Sequence, residues 1–390
     1  MDVHYGEPAG ADTDARSLKP AELKPAAPDR HGGNLEAVAR RLGCRPADLL
    51  DASASLVPFG PPASVRRVLA AAVRTPAGRP SPLRDYPDRD QLRLRQAIAT
   101  HHQLDPAAVL PGNGAAELFT WLARDAAAAG ASLLPVPGFA DYPRALACWG
   151  GAWSAWPLEL PLPGALTWPQ PLPPAPAGAH QAVWITNPHN PTGQLWSRSS
   201  LEPLLERFEL VIVDEAFLPL VPGGEEQSLV SLLKDHPNLV VIRSLTKLLA
   251  IAGLRLGYAL ADPARLRRWA GWRDPWPVNG LAAAVGEAVV GDRRWQQRVQ
   301  RWVAAEGPWL EQGLQQLPGL TPLPSAANFL LVRSESSLVP LRERLERHHR
   351  VLLRDCRSFA GLGERWLRIA LQNRRNNRRL LRALRQEIRR

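Results

Sequence analysis

Apolar positions along this chain fall into two recurring patterns. Five short runs are almost continuously apolar: Ser132–Val136 (SLLPV), Ala182–Thr186 (AVWIT), Leu210–Val213 (LVIV), Leu239–Ile242 (LVVI) and Tyr258–Leu260. Such runs predict strands buried on both faces, as in a mainly parallel sheet covered by helices. Stretches with apolar residues at helical spacing, such as Glu117–Ala129 and Leu201–Phe208, separate several of them, and the alternation predicts an α/β domain. Beyond about residue 282 the order changes to a long helical stretch, a strand at Phe329–Val332 and a helix near Leu338–His349. Short strands around Val351–Leu353 and Trp366–Ala370 and a final arginine-rich helix follow. That order predicts a smaller α+β domain packed against the first. Residues 1–30 are rich in proline, alanine and charge without periodicity, and read as a disordered or loosely attached extension. The expected division is thus 1–30 as extension, 31–60 as a segment joining the small domain, 61–281 as the large domain and 282–390 as the small domain.

Composition narrows the function. The chain has 390 residues, 45% apolar and 22% charged, which is enough for a large core in two or three packed units. Three widely spaced cysteines, Cys44, Cys148 and Cys356, argue against a disulfide framework or a zinc site and fit a reducing cytoplasm. The opening 30 residues lack the apolar core of a secretory signal. The longest charge-free stretch, Leu160–Ser197, is broken by prolines and predicts no spanning helix. A soluble, cytoplasmic protein without a membrane partner is expected.

The net charge of +11 invites a nucleic-acid reading. Eight arginines and one glutamate in the last 18 residues supply +7 of it. There Leu380, Leu381, Leu384 and Ile388 share one helical face, and no stacking aromatics interleave the arginines, so a packed amphipathic helix is expected rather than a nucleic-acid site. The basic residues are divided unevenly: four lysines, Lys19, Lys24, Lys234 and Lys247, against 44 arginines. Lysine chemistry therefore has few candidates, and only Lys247, after an apolar strand and beside Ser244 and Thr246, has a suitable setting. An ordinary helix-surface lysine would look the same in isolation.

Three other motifs carry chemistry, each with a plainer alternative. In VIVDEAF, Asp214 and Glu215 end a buried strand, where carboxylates usually point into a ligand crevice; a helix cap or salt bridge fits equally. In WITNPHNPTG, Asn190 sits in a stiff loop able to hold an amide against a ligand, though two Asn-Pro pairs also make plain turns. In PGNGAAELF, a glycine turn opens a helix whose free amides near Ala115 and Ala116 can bind an anion, but glycine turns before helices are common.

Taken together in this order, the NPHNPTG, DEAF and SLTK…GLRLGY segments resemble those of the fold-type-I pyridoxal-phosphate enzymes, the aspartate aminotransferase superfamily, over roughly residues 31–390. The resemblance implies a mainly parallel seven-stranded sheet covered by helices, a smaller α+β domain, and pyridoxal 5'-phosphate as cofactor. It implies Lys247 as the Schiff-base lysine, Asp214 at the pyridine nitrogen, Asn190 at the phenolic oxygen and Phe139 stacked on the ring. The cofactor phosphate would take the amides of Ala115 and Ala116, the hydroxyls of Ser244 and Thr246, and Arg255. Tyr86 would reach that phosphate from the other subunit of a homodimer. Phe217 stands where many aminotransferases have a tyrosine.

Three further segments, His31-Gly-Gly-Asn34, LDASASLVPFGPP at 50–62 and VLLRDCRSFAGLGERWLRIAL at 351–371, are similar to the threonine-phosphate decarboxylases of cobalamin biosynthesis. Histidinol-phosphate aminotransferases are the alternative. The resemblance implies a phosphorylated amino acid as substrate, Arg368 near its carboxylate, and Arg354 and His31 near its phosphate. One departure stands out: Val57-Pro58 replaces the usual Asn-Pro.

Overall fold

The five apolar runs become neighbouring strands of one seven-stranded sheet in the computed structural model, which describes residues 31–161, 164 and 167–389. The extension expected over 1–30, with Lys19 and Lys24, lies outside the described residues. In chain order the strands are β1 (Leu50–Ala52), β2 (Val109–Asn113), β3 (Ser132–Val136), β4 (Trp153–Pro157), β5 (Ala182–Thr186) and β6 (Leu210–Asp214). They continue with β7 (Leu239–Ser244), β8 (Leu256–Ala261), β9 (Thr321–Pro322), β10 (Phe329–Arg333), β11 (Val351–Asp355) and β12 (Trp366–Ala370).

The large sheet has the order β2-β8-β7-β6-β5-β3-β4. Strand β8 pairs antiparallel with β7 and β2, and the remaining neighbours pair parallel. One reversed strand thus lies within an otherwise parallel sheet. Alternate residues explain why the runs are continuously apolar: Val183, Ile185, Val211, Val213 and Val241 enter the core on one face. Their sequence neighbours Ala182, Trp184, Leu210, Ile212 and Val240 enter the core on the other. Both faces are covered, so the period-2 pattern has no polar phase.

A second sheet of five strands has the order β1-β11-β12-β10-β9. Leu330, Val332, Val351, Leu353 and Ile369 of this sheet pack with Leu380 and Leu384 of the last helix, Arg374–Ile388. Each such buried leucine contributes roughly 1.5–3 kcal/mol relative to exposure. The last helix is therefore a packed element whose arginines cover its outer face, as its apolar stripe predicts. The 23-residue helix Arg293–Gln315 joins the two cores, with Trp295 and Val299 in the large one and Leu310 and Leu314 in the small one.

Some elements differ from the expectation. Strand β2 (VLPGN) is disguised by its proline and glycine, and β4 is an edge strand with exposed residues Trp153–Ala155. The helix expected over Leu201–Phe208 is two short pieces, Arg198–Leu201 and Pro203–Arg207, since Pro203 lacks the N–H needed to continue the ladder.

Candidate active site

The carboxyl ends of parallel strands form the natural ligand edge of an open α/β sheet. At that edge Asp214 ends β6 and pairs in register with Thr186 at the end of β5 and Ile242 of β7. Ser244 ends β7, and Lys247 follows on the one-turn helix Leu245–Leu248. The reversal of β8 brings its beginning, preceded by Arg255, to the same edge, with Gly257 level with Ser244 and Gly112. Several strand ends and one strand start thereby converge.

They enclose a cavity of about 570 Å³. Its lining includes Lys247, Asp214, Asn190, Phe139, Ala115, Ala116, Ser244, Thr246, Arg255, His31, Arg354 and Arg368. The candidates named from the sequence are thus brought together except two: Tyr86 lies away from the cavity, 80% exposed and stacked on Trp276 at 4.4 Å, and Glu215 is buried outside it, paired with Arg243 at 2.6 Å and accepting from Ser228 Oγ and the Leu229 N–H. Phe217 lines the cavity too, its ring edge-on to Phe329 at 5.2 Å.

One end of the cavity is an anion cradle. The helix Ala115–Ala129 starts at Gly114 without a side-chain cap, so its first amides are free for a ligand. Gly114 has φ +75, and a Cβ there would lie 2.4 Å from Arg255 Nη2. Only glycine lets the turn and the guanidinium approach so closely. Opposite, the hydroxyls of Ser244 and Thr246 lie 2.7 Å apart.

Asp214 is fully buried, and burial pushes its carboxyl up to about 6 against the pull of Tyr142, the Ala216 N–H and Lys247. Ala216 N–H donates to Oδ1 at 3.0 Å and the Tyr142 hydroxyl to Oδ2 at 2.8 Å. Lys247 is brought down to about 8 by burial first, then by Arg368 and Arg255. A desolvated amine near neutrality and a buried carboxylate in one cavity are the perturbed pair expected of a reactive site.

The other end is cationic. Arg368 is buried, donates from Nη1 to Asn190 Oδ1 at 2.5 Å and from Nη2 to the Ser53 carbonyl at 3.3 Å, and leaves Nε without a protein partner. Arg354 donates to Ser358 Oγ at 2.6 Å and lies over the Phe359 ring. His31, at the exposed rim, contacts Phe139 edge-on, and burial lowers its imidazole's affinity for a proton, with Asp141 opposing.

Val57, the departure noted in the sequence, is packed in the large core, and its N–H donates to the Lys247 carbonyl at 3.4 Å; Ser55, two residues earlier and the candidate to compensate for it, lines the cavity with its buried hydroxyl unpaired. Sequence reasoning missed Asp141, Phe359 and Tyr142. Tyr142 lies in the first turn of the helix Asp141–Ala147, with its ring against that of Phe139 at 5.5 Å.

The family model described as aminotransferase class I and II matches residues 50–384. The threonine-phosphate decarboxylase of Salmonella typhimurium is 39% identical over 368 residues, covering 91% of this chain and 95% of its own length. The histidinol-phosphate aminotransferase of Symbiobacterium thermophilum is 33% identical over 369 residues, covering 93% and 95%. The solved L-threonine-O-3-phosphate decarboxylase of Porphyromonas gingivalis shares the fold, with a TM-score of 0.75 at 24% identity over 86% of this chain and 98% of that one. The matched span takes in both sheets and the lysine, carboxylate and cradle between them, and the chain belongs to the class I and II aminotransferase family.

Proposed function

We propose that this protein is a pyridoxal-phosphate-dependent decarboxylase that converts L-threonine O-3-phosphate to (R)-1-aminopropan-2-ol O-phosphate for cobalamin biosynthesis. The observation that carries this reading is a single cavity holding a lysine, a buried carboxylate, an anion cradle and two further arginines. The 39% identical decarboxylase supports the choice of substrate.

The residues fit the cofactor. The glycine turn at Gly114, the Ser244 and Thr246 hydroxyls and Arg255 line the cavity together and offer amide, hydroxyl and guanidinium donors suited to a phosphate. Asp214, unfavourable as a lone buried anion, gains a cationic partner from a protonated pyridine nitrogen. Asn190 already gives its carbonyl oxygen to Arg368, which leaves its N–H groups for the phenolic oxygen. Phe139 would cover a ring face, and Lys247 would be the attachment point. When bound, the cofactor supplies an electron sink at the substrate's α-carbon.

The chain's own residues select the reaction. A substrate with one carboxylate and one phosphate needs two cationic sites besides the cradle, and planar guanidinium groups suit both. Arg368 takes the carboxylate; Arg354 and His31 take the phosphate. Fixing both ends sets which bond at the α-carbon is aligned for cleavage. The bond to the carboxylate breaks, its electron pair stays on the α-carbon, carbon dioxide leaves, and the Lys247 ammonium returns a proton to that carbon. An amine near pH 8 is suited to giving up and regaining a proton at neutrality. Phe217 and Phe359 keep that region of the cavity apolar.

We assign residues 61–281 to cofactor binding and residues 31–60 with 282–390 to the small domain. The exposed Tyr86, stacked on the half-buried Trp276, supports a homodimer in which Tyr86 serves the partner's site. Three unpaired cysteines support a cytoplasmic enzyme.

The test is direct. Purified holoenzyme given L-threonine O-3-phosphate should release carbon dioxide with no 2-oxo acid present. Transfer of an amino group between glutamate and histidinol phosphate, without gas, would instead support the aminotransferase reading suggested by the 33% identical relative.

A further inference from the structure

Behind Asp214, outside the cavity, the side chains of Thr186, Tyr142 and Asp214 form a chain. Tyr142 OH lies 2.7 Å from Thr186 Oγ1 and 2.8 Å from Asp214 Oδ2. All three residues are buried. A carboxylate can only accept, so the Tyr142 proton points to Asp214, and the Thr186 hydroxyl in turn donates to Tyr142. The chain therefore has a direction. Each donor strengthens the next, and the polarisation ends on the oxygen that faces away from the Ala216 amide bond. Main-chain register explains its construction: Thr186 and Asp214 are paired neighbours at the ends of β5 and β6, and the helix Asp141–Ala147 brings Tyr142 across them. The Tyr142 ring is held by Phe119, Phe139 and Trp184 at centroid distances of 5.2, 5.5 and 5.1 Å.

We propose that Tyr142, backed by Thr186, is a positioning residue for the cofactor: it holds the Asp214 carboxylate ionised and oriented for the ring nitrogen. This rests on the pyridoxal-phosphate reading above. The arrangement has a reason. Asp214 is fully buried, with Glu215 opposing its ionisation and only Lys247 among the charged groups favouring it; Asp141 is the other acid acting on Tyr142. A second charge-assisted hydrogen bond is the remaining means of keeping the anion ready. The same ring touches Phe139, so one side chain sets both the group beneath the nitrogen and the group stacked on the face.

The test is a two-residue cycle, Tyr142→Phe, Thr186→Val and the double variant, with the ring packing of residue 142 kept in each. Cofactor-free protein is titrated with pyridoxal phosphate from pH 5 to 8, and the dissociation constant is read from absorbance. Binding requires the Asp214 anion, so affinity falls on the acid side. Tyr142→Phe should move that fall upward by about one pH unit, a tenfold change in proton affinity. Thr186→Val should move it less, and the double variant should match Tyr142→Phe alone, because both act through one chain. A weaker affinity at every pH with an unmoved midpoint would make Tyr142 merely structural, and additive shifts would break the chain; either overturns the proposal. Wild-type protein that binds no pyridoxal phosphate would overturn the cofactor reading itself, and the proposal with it.

Discussion

Arg368 Nη1 donates to Asn190 Oδ1 at 2.5 Å, a hydrogen bond between residues 178 positions apart in the chain. It ties β12 of the small sheet to the loop after β5 of the large one, so the residue proposed for the substrate carboxylate and the residue proposed for the cofactor's phenolic oxygen orient each other. Arg368→Lys removes the planar fork that serves both. It should raise KM for L-threonine O-3-phosphate about 30-fold or more, as expected for losing about 2 kcal/mol or more from a buried charge pair. Binding of the product phosphate ester, which lacks the carboxylate, should change little. Equal losses for both ligands would disprove the assignment.

Lys247 is the one described lysine in the cavity. Lys247→Ala should give a protein without the yellow colour of the attached cofactor and without measurable carbon dioxide release. Retained turnover would remove Lys247 from the mechanism.

Gly114→Ala probes the cradle. The substitution is strained at φ +75, and its methyl group would displace the Arg255 guanidinium. Cofactor affinity, followed by equilibrium dialysis, should fall by about tenfold or more, since an L-residue there costs roughly 1–2 kcal/mol before the displacement is counted. An unchanged affinity would mean that the cradle does not hold the cofactor phosphate.

Asp214 makes a pH prediction for the cofactor-free protein. Its folded-state value, about 6, lies above the ordinary 3.8, so folding favours the protonated acid. Below about pH 4 the group is neutral in both states; as pH rises through 6 the folded protein must carry the buried charge and loses stability. Asp214→Asn should therefore match wild type near pH 4 and exceed it at pH 8 by on the order of 2–3 kcal/mol, while losing cofactor affinity. Urea melts of both cofactor-free proteins at the two pH values check this; equal stability at pH 8 would contradict it.

Phe217→Tyr adds a hydroxyl to the cavity wall beside Phe329. The variant should lower the pH midpoint of the bound cofactor's colour change, because a donor at the phenolic oxygen favours its anionic form. A spectrophotometric titration that leaves the midpoint in place would show that residue 217 does not reach that oxygen.

The buried strands were legible because both faces of the large sheet are apolar, and Lys247, Asp214 and Arg255 were legible because each stands at a strand end within a dense motif. What escaped notice was set by contacts distant in the chain. Strand β2 contains proline and glycine, and is a strand because β8 pairs with it over five residues. Tyr142 carries no motif signal of its own; its bond to Asp214 arises only when segments 72 residues apart meet, whereas Ser55 was legible beside the Val57 departure but its buried, unpaired hydroxyl was not. Tyr86 was legible as a candidate, yet its surroundings in one chain are solvent and Trp276.

The reversal of β8 bears on the order in which the site assembles. Lys247 and Arg255 both lie in the connection of residues 245–255 between β7 and β8, so the lysine, the Ser244 and Thr246 hydroxyls and Arg255 come together through contacts near in sequence, which form at small entropic cost, while Gly114 and the amides after it reach Arg255 from 141 residues away. The Arg368–Asn190 bond closes a loop of 178 residues and belongs to the slow, long-range part of folding. A chain caught between these stages would hold its lysine beside two hydroxyls and one guanidinium but would lack both the helix amides and the oriented carboxylate ligand, so cofactor and substrate alike are readers of the finished protein.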